Sequence, residues 1–176
     1  MTSNRSRLIA LLSAIITAAA LRLVPHPPNF TPIGAIALFS GAYFGRRTWA
    51  FVAPLAALFL SDLVLGFYHG MATVYATDLL IVVIGTLITR RSPLRIAMAA
   101  VVSSIVFFTI TNLGMWFSSG FYPRTLIGLE ECFVAAVPFF QNSLAGDLFY
   151  TTLLFGGFRL AEVILPQLRA TEAQPA

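Results

Sequence analysis

Residues 95–117 read RIAMAAVVSSIVFFTITNLGMWF, an apolar run whose only charge is the opening Arg95. An α-helix needs about 20 such residues to cross the bilayer core, with roughly 17–25 tolerated. This segment meets the requirement outright, and the chain repeats the pattern on either side. Apolar runs at 8–24, 32–44, 48–66, 73–89 and 138–158 are separated by breakers: PHPP at 25–28, GRR at 45–47, His69-Gly70, RRSP at 90–93 and the long stretch 118–137. The expectation is an all-α membrane protein. It is read as a six-transmembrane-helix bundle forming a single domain over 1–169, followed by a polar, frayed tail at 170–176.

Composition agrees with this reading. Of 176 residues, 58% are apolar and 10% charged, against about 45–50% apolar and about 25% charged in an ordinary soluble domain. A soluble globular protein is excluded, and so is disorder, which needs low hydrophobicity and high net charge. All 11 cations are Arg. Without Lys there is no Walker A loop and no Schiff-base chemistry, so the chain is not a P-loop ATPase driving its own transport. Cys132 is the single cysteine, His26 and His69 are the only histidines, and neither HExxH nor GxSxG is present. Internal disulfides and CxxC sites are thereby excluded, and no catalytic residue, metal or cofactor is expected. The net charge of +4 reads as topology rather than nucleic-acid affinity.

With the N-terminus inside, Arg5, Arg7, Arg46, Arg47, Arg90, Arg91, Arg95, Arg159 and Arg169 fall at cytoplasmic ends and Arg22 and Arg124 at outer ends. Nine against two is a strong positive-inside asymmetry, so both termini are expected in the cytoplasm. Arg5, Arg7, the apolar run and AAA at 18–20 also resemble a signal peptide. The run is long for that role, and a retained helix is the expectation; cleavage would leave five spans without inverting any.

Polar residues inside spans are costly and are functional candidates by default. On this topology they gather in the outer half: Asp62 before Phe67-Tyr68-His69, then Tyr75, Thr77 and Asp78, then Thr111, Asn112 and Trp116, then Gln141, Asn142 and Asp147. The inner half reads as almost free of buried polar groups. Such groups could merely bond helices together, but their gathering on one side points to a pocket open to the outside. The rigid run 25–32, which holds Asn29, cannot be helical at its centre. The stretch 118–137, with Phe121, Tyr122, Arg124, Glu130 and Glu131, is long enough for a lid, or its aromatics form an interfacial belt. Small residues at Gly41 and Gly45, and at Ala10, Ala14 and Ala18, mark close helix contacts.

The run PNFTPIGA at 28–35, Leu60-Ser61-Asp62, and the pattern Asn142-x-x-x-Gly146-Asp147 within 139–150 resemble an uncharacterised family of small candidate membrane transport proteins. That family is distantly similar to the substrate-binding S components of energy-coupling-factor (ECF) vitamin transporters. The resemblance implies six helices with both ends in the cytoplasm of a bacterial inner membrane, and a vitamin or similar micronutrient held near the outer face. The candidate binding set is Asn29, Asp62, Tyr68, His69, Tyr75, Asp78, Asn112, Trp116, Asn142 and Asp147. An Ala-x-x-x-Ala motif on the first helix of S components docks on a coupling protein joined to two ATPases; Ala10, Ala14 and Ala18 match it. Solitary carriers of the same fold exist, and cobalamin is one vitamin they handle. The aromatics favour a flat ligand and the acids a neutral or cationic one. Two other classes stay open: a structural or assembly protein with an adhesive polar cluster, and an intramembrane enzyme using Asp62, Asp78, Asp147 or His69.

Overall fold

The computed structural model describes residues 2–45, 47–89 and 91–169; the tail at 170–176 and two of the counted cations, Arg46 and Arg90, lie outside the described residues. Every regular element among the described residues is helical. Helix α1 (Thr2–Ala20) is closed by a 3₁₀ turn over Leu21–Leu23 and followed by α2 (Ile33–Phe44), α3 (Thr48–Leu65), α4 (Met71–Thr86) and α5 (Pro93–Ser118). The last helix, α6 (Leu126–Ile164), is α-helical to Thr151, passes through a π turn at Thr152–Gly156, and is α-helical again over Gly157–Ile164. Four segments are long and apolar enough to cross a membrane: Arg5–Leu23, Thr48–Leu65, Pro93–Ser118 and Leu126–Ile164. The chain is thus compatible with a helical membrane protein, with α2 and α4 as shorter apolar helices.

The shortness of α2 has a packing reason. It touches all five other helices, and residues from Ile33 to Phe44 are buried apart from Gly34 and Tyr43. A helix that is apolar all round belongs inside a bundle, and α2 is its axis. Its closest neighbour is α4. A Cβ added at Gly41 would lie 2.1 Å from the Val82 carbonyl oxygen, and one at Gly85 would lie 2.3 Å from that of Leu38. The two backbones therefore meet directly, as small residues allow. Gly45, the second glycine of the motif, instead ends α2 with φ +62°.

Two expectations are corrected here. The stretch 118–137 is not a long lid: only the segment between Ser118 and Leu126 is non-helical, because α6 starts twelve residues before Pro138 and runs through it. Thr125 caps that start, its Oγ1 accepting from the Gly128 amide at 3.2 Å, which satisfies an otherwise orphaned donor. The alanine stripe of α1 does not face outward. Ala18 is 3% exposed and belongs to the core, and Ala10 and Ala14 pack against it, whereas Ile9 and Ile16 are the exposed apolar residues of this helix.

Long-range contacts sort the connections to two ends. At one end Arg22 meets Asp62, His69 meets Ser118 and Asn142 meets Pro28, so the segments after α1, α3 and α5 lie together. At the other end Arg7 meets Glu162 and the Leu168 carbonyl, and Arg91 meets the Ala42 carbonyl. This second end is not poor in buried polar groups: Glu162 is 7% exposed. Its carboxylate is paired to Arg7 at 2.8 Å beside a cluster of Phe39, Tyr43, Phe155 and Phe158.

Candidate functional site

The connection after α1 is built around residues that fix its shape. Asn29 takes a left-handed backbone with φ +64°, which Asn tolerates better than most residues. The Phe30 amide bonds the Pro27 carbonyl at 3.0 Å, and Asn142 Nδ2 donates to the Pro28 carbonyl at 3.0 Å. Phe30 packs on Phe149 and Tyr150 of α6 with ring centres 5.8 and 5.5 Å apart. The connection is thus clamped to α6 and delivers Thr31 and the start of α2 to the acidic end of the bundle.

Three carboxylates meet there in different settings. Asp62 is 0% exposed; Arg22 donates to its Oδ1 at 2.5 Å and the Tyr75 hydroxyl to its Oδ2 at 2.9 Å. Arg22 also donates to Ser61 Oγ at 2.6 Å. Asp147 receives a hydrogen bond from Ser104 Oγ at 2.6 Å and lies against the first turn of α2. A Cβ on Gly34 would come 2.5 Å from Asp147 Oδ1, so glycine at 34 is what admits the carboxylate to the positive end of that helix. Asp78 is 1% exposed, and neither of its oxygens has a hydrogen-bond partner.

A cavity of about 190 Å³ opens beside these groups, lined by Arg22, Asn29, Thr31, Tyr68, Ser143 and Asp147 together with apolar residues such as Leu58, Val74 and Phe107. Burial, with the Asp62 carboxylate adding to it, pushes the Tyr68 phenol up to about 12, so it faces the cavity as a neutral hydroxyl. A second cavity of about 570 Å³ shares Asn29, Phe107 and Ser143 with the first and is walled by Phe108, Phe121, Tyr122, Phe139 and Phe140. Asn112 lines it, its Nδ2 bonded to the Phe108 carbonyl at 2.7 Å.

The expected set therefore divides. Asn29, Tyr68 and Asp147 line the first cavity and Asn112 the second. Asp62 and Tyr75 stand behind the first cavity, bonded to each other, and Asp78 is buried beyond it. The remaining three serve the connections: His69 bonds Ser118 Oγ at 3.2 Å, Trp116 Nε1 donates to the Pro123 carbonyl at 3.0 Å, and Asn142 holds Pro28. Sequence reasoning missed Arg22, Ser104, Ser143 and the phenylalanines of α5 and α6. Arg22 alone carried a legible signal, a lone cation at the acidic end.

Comparison with known proteins adds a family and no function. The chain belongs to a family of unknown function (DUF6580), whose model matches residues 2–168. No curated protein and no solved structure matches it.

Proposed function

We propose that this member of a family of unknown function is an integral protein of the bacterial inner membrane that binds a small micronutrient at its outer face and carries it inward. The supporting observation is the contrast among the acids. Asp62 is saturated by Arg22 and Tyr75, while Asp147 faces an open cavity whose lining continues into an aromatic one. Pockets that are mostly apolar with a few convergent polar groups are the usual form of small-molecule sites. Aromatic walls suit a flat body, and an acid at one end suits a polar or cationic head.

In this reading all six helices cross the bilayer. The end that gathers Arg7, Arg47, Arg91, Arg159 and Arg169 faces the cytoplasm with both termini, by the positive-inside rule. The distant likeness to S components is kept as a likeness of architecture. Docking through Ala10, Ala14 and Ala18 is not favoured, because that stripe packs against the protein's own core, so the carrier works without an ATPase module. An adhesive role remains the second reading, and it draws on Asp62 and Asn142, which bond only protein groups.

The test is to identify by mass spectrometry what co-purifies, strip it, and add it back while following thermal unfolding. Add-back should raise the midpoint of the wild type and have little effect on Asp147→Asn, which should itself stay folded. If nothing co-purifies and Asp147→Asn loses stability outright, the cluster is adhesive. Reporter fusions after Arg47, Arg91 and Arg169 should read cytoplasm, and those near His26, His69 and Arg124 the outside. A cytoplasmic signal at His69 overturns the topology.

A further inference from the structure

Asp78 is the least explained group in the molecule. It is 1% exposed, on the inward face of α4, and both carboxylate oxygens lack a hydrogen-bond partner. The charged groups that act on it are Asp147 from α6, Arg22 from the turn after α1, and Asp62 from α3. Tyr75 on its own helix is committed to Asp62, and Tyr68 faces the cavity. Helices α2 and α5 also pack on α4, but their only titratable residues, Tyr43 and Arg95, belong to the arginine end. Arg22 is spent on Asp62 at 2.5 Å. Asp78 and Asp147 are thus two acids with no cation between them. An uncompensated charge in an apolar interior is strongly unfavourable, and such groups are neutral or are paired.

The surroundings say what pairs them. Asp147 reaches the cavity while Asp78 does not, so a ligand can touch the first and only a proton can reach the second. No group of three or more His, Cys, Asp or Glu suited to a metal ion exists among the described residues. The adjoining cavity is walled by Phe107, Phe108, Phe121, Tyr122, Phe139 and Phe140, whose ring faces attract an organic cation. Ser103 Oγ is buried without a partner beside Ser104, the donor to Asp147.

We propose that Asp78 and Asp147 form a proton-for-cation exchange pair. In the empty protein the pair holds a proton. A small monovalent organic cation, an ammonium or guanidinium with an apolar body, seats its charge on Asp147 and displaces that proton to the outer water. One positive charge enters as one leaves, so the site keeps its net charge. Asp147 is the docking group and Asp78 the proton store. The cation arm rests on the binding function proposed above; the proton on the buried pair does not.

Two measurements on the full chain in detergent micelles test this. The first is the infrared difference spectrum across a pH titration. The wild type should show a protonated carboxyl C=O band at neutral pH that disappears in Asp78→Asn and persists in Asp62→Asn. Asn preserves the shape of a neutral acid, so Asp78→Asn should fold; if it does not, Asp147→Asn must alter the same band. The second is titration with phenylethylammonium in weak buffer containing a pH dye, with phenylethanol as the uncharged control. About one proton should be released per cation bound, and affinity should rise as pH rises, by up to about tenfold per unit. A spectrum without the neutral carboxyl band overturns the proposal whatever binds. Binding of phenylethylammonium without proton release also overturns it but leaves the pocket standing. Failure of phenylethylammonium to bind overturns the exchange, and the pocket is then judged by the co-purified compound.

Discussion

The ion pair between Arg22 and Asp62 joins the turn after α1 to α3, across forty positions of sequence, and its removal should separate structure from decoration. Asp62 is completely buried and receives two hydrogen bonds, at 2.5 Å from Arg22 and 2.9 Å from Tyr75; the Arg22 side chain is 12% exposed. Arg22→Met takes away the shorter bond and the only counter-charge, leaving a buried carboxylate with a single phenol donor. Breaking a buried pair in this way costs about 3–5 kcal/mol. Asp62→Leu leaves a guanidinium that still has Ser61 Oγ at 2.6 Å and borders an open cavity. Its loss should be smaller, about 1.5–3 kcal/mol for one charged hydrogen bond. The double variant removes both charges together and should be less destabilised than the sum of the singles, with a coupling of about 2 kcal/mol. For a domain of this size the Arg22→Met loss corresponds to a fall of the order of 10 °C in unfolding midpoint. Unfolding in mixed micelles, followed by tryptophan fluorescence and circular dichroism, reads all four proteins. A coupling below about 0.5 kcal/mol would show that water reaches the pair, and the account of the acidic end would fail.

Further outcomes follow from the packing. Gly41→Ala should destabilise by at least about 1–3 kcal/mol, because its Cβ would overlap the Val82 carbonyl, while Gly156→Ala, with nothing within 4 Å, should not; equal unfolding midpoints for the two would refute the α2–α4 backbone contact. Ala18→Leu should likewise lower stability by about 1–3 kcal/mol, since Ala18 is enclosed by core side chains. A variant as stable as the wild type would put the stripe on the outside and restore it as a docking surface. Glu162→Gln should cost about 1.5–3 kcal/mol, with little response to salt because the pair with Arg7 is mostly buried. A strong salt dependence of the wild type at this end would contradict that.

Much of the helical layout is legible in the sequence because apolar length and breakers are local signals. Runs at 32–44, 48–66, 73–89 and 95–117 lie within a few residues of α2, α3, α4 and α5. The start of α6 was misread for a local reason as well. Glu130, Glu131 and Pro138 look like loop chemistry, yet the two acids are exposed on the helix surface and the helix continues through the proline. The polar candidates were visible as costly residues inside apolar runs, and Asp62, Asp78 and Asp147 do gather at one end.

What the sequence by itself determined is therefore the inventory: which segments are helices, and which residues are too polar to sit there idly. Only the tertiary structure decided how each helix is turned about its own axis and what each polar group meets. The alanines of α1 face the core rather than a partner, because a four-residue spacing fixes a stripe but not its direction. Arg22 finds Asp62, Arg7 finds Glu162 and Ser104 finds Asp147 across distances of sequence that no periodicity encodes. The aromatic cavity is built from phenylalanines of α5 and α6 that read in the chain like any lipid-facing residue. Periodicity is a property of one helix, whereas a site is a property of several packed together, and packing depends on the side chains of all of them at once.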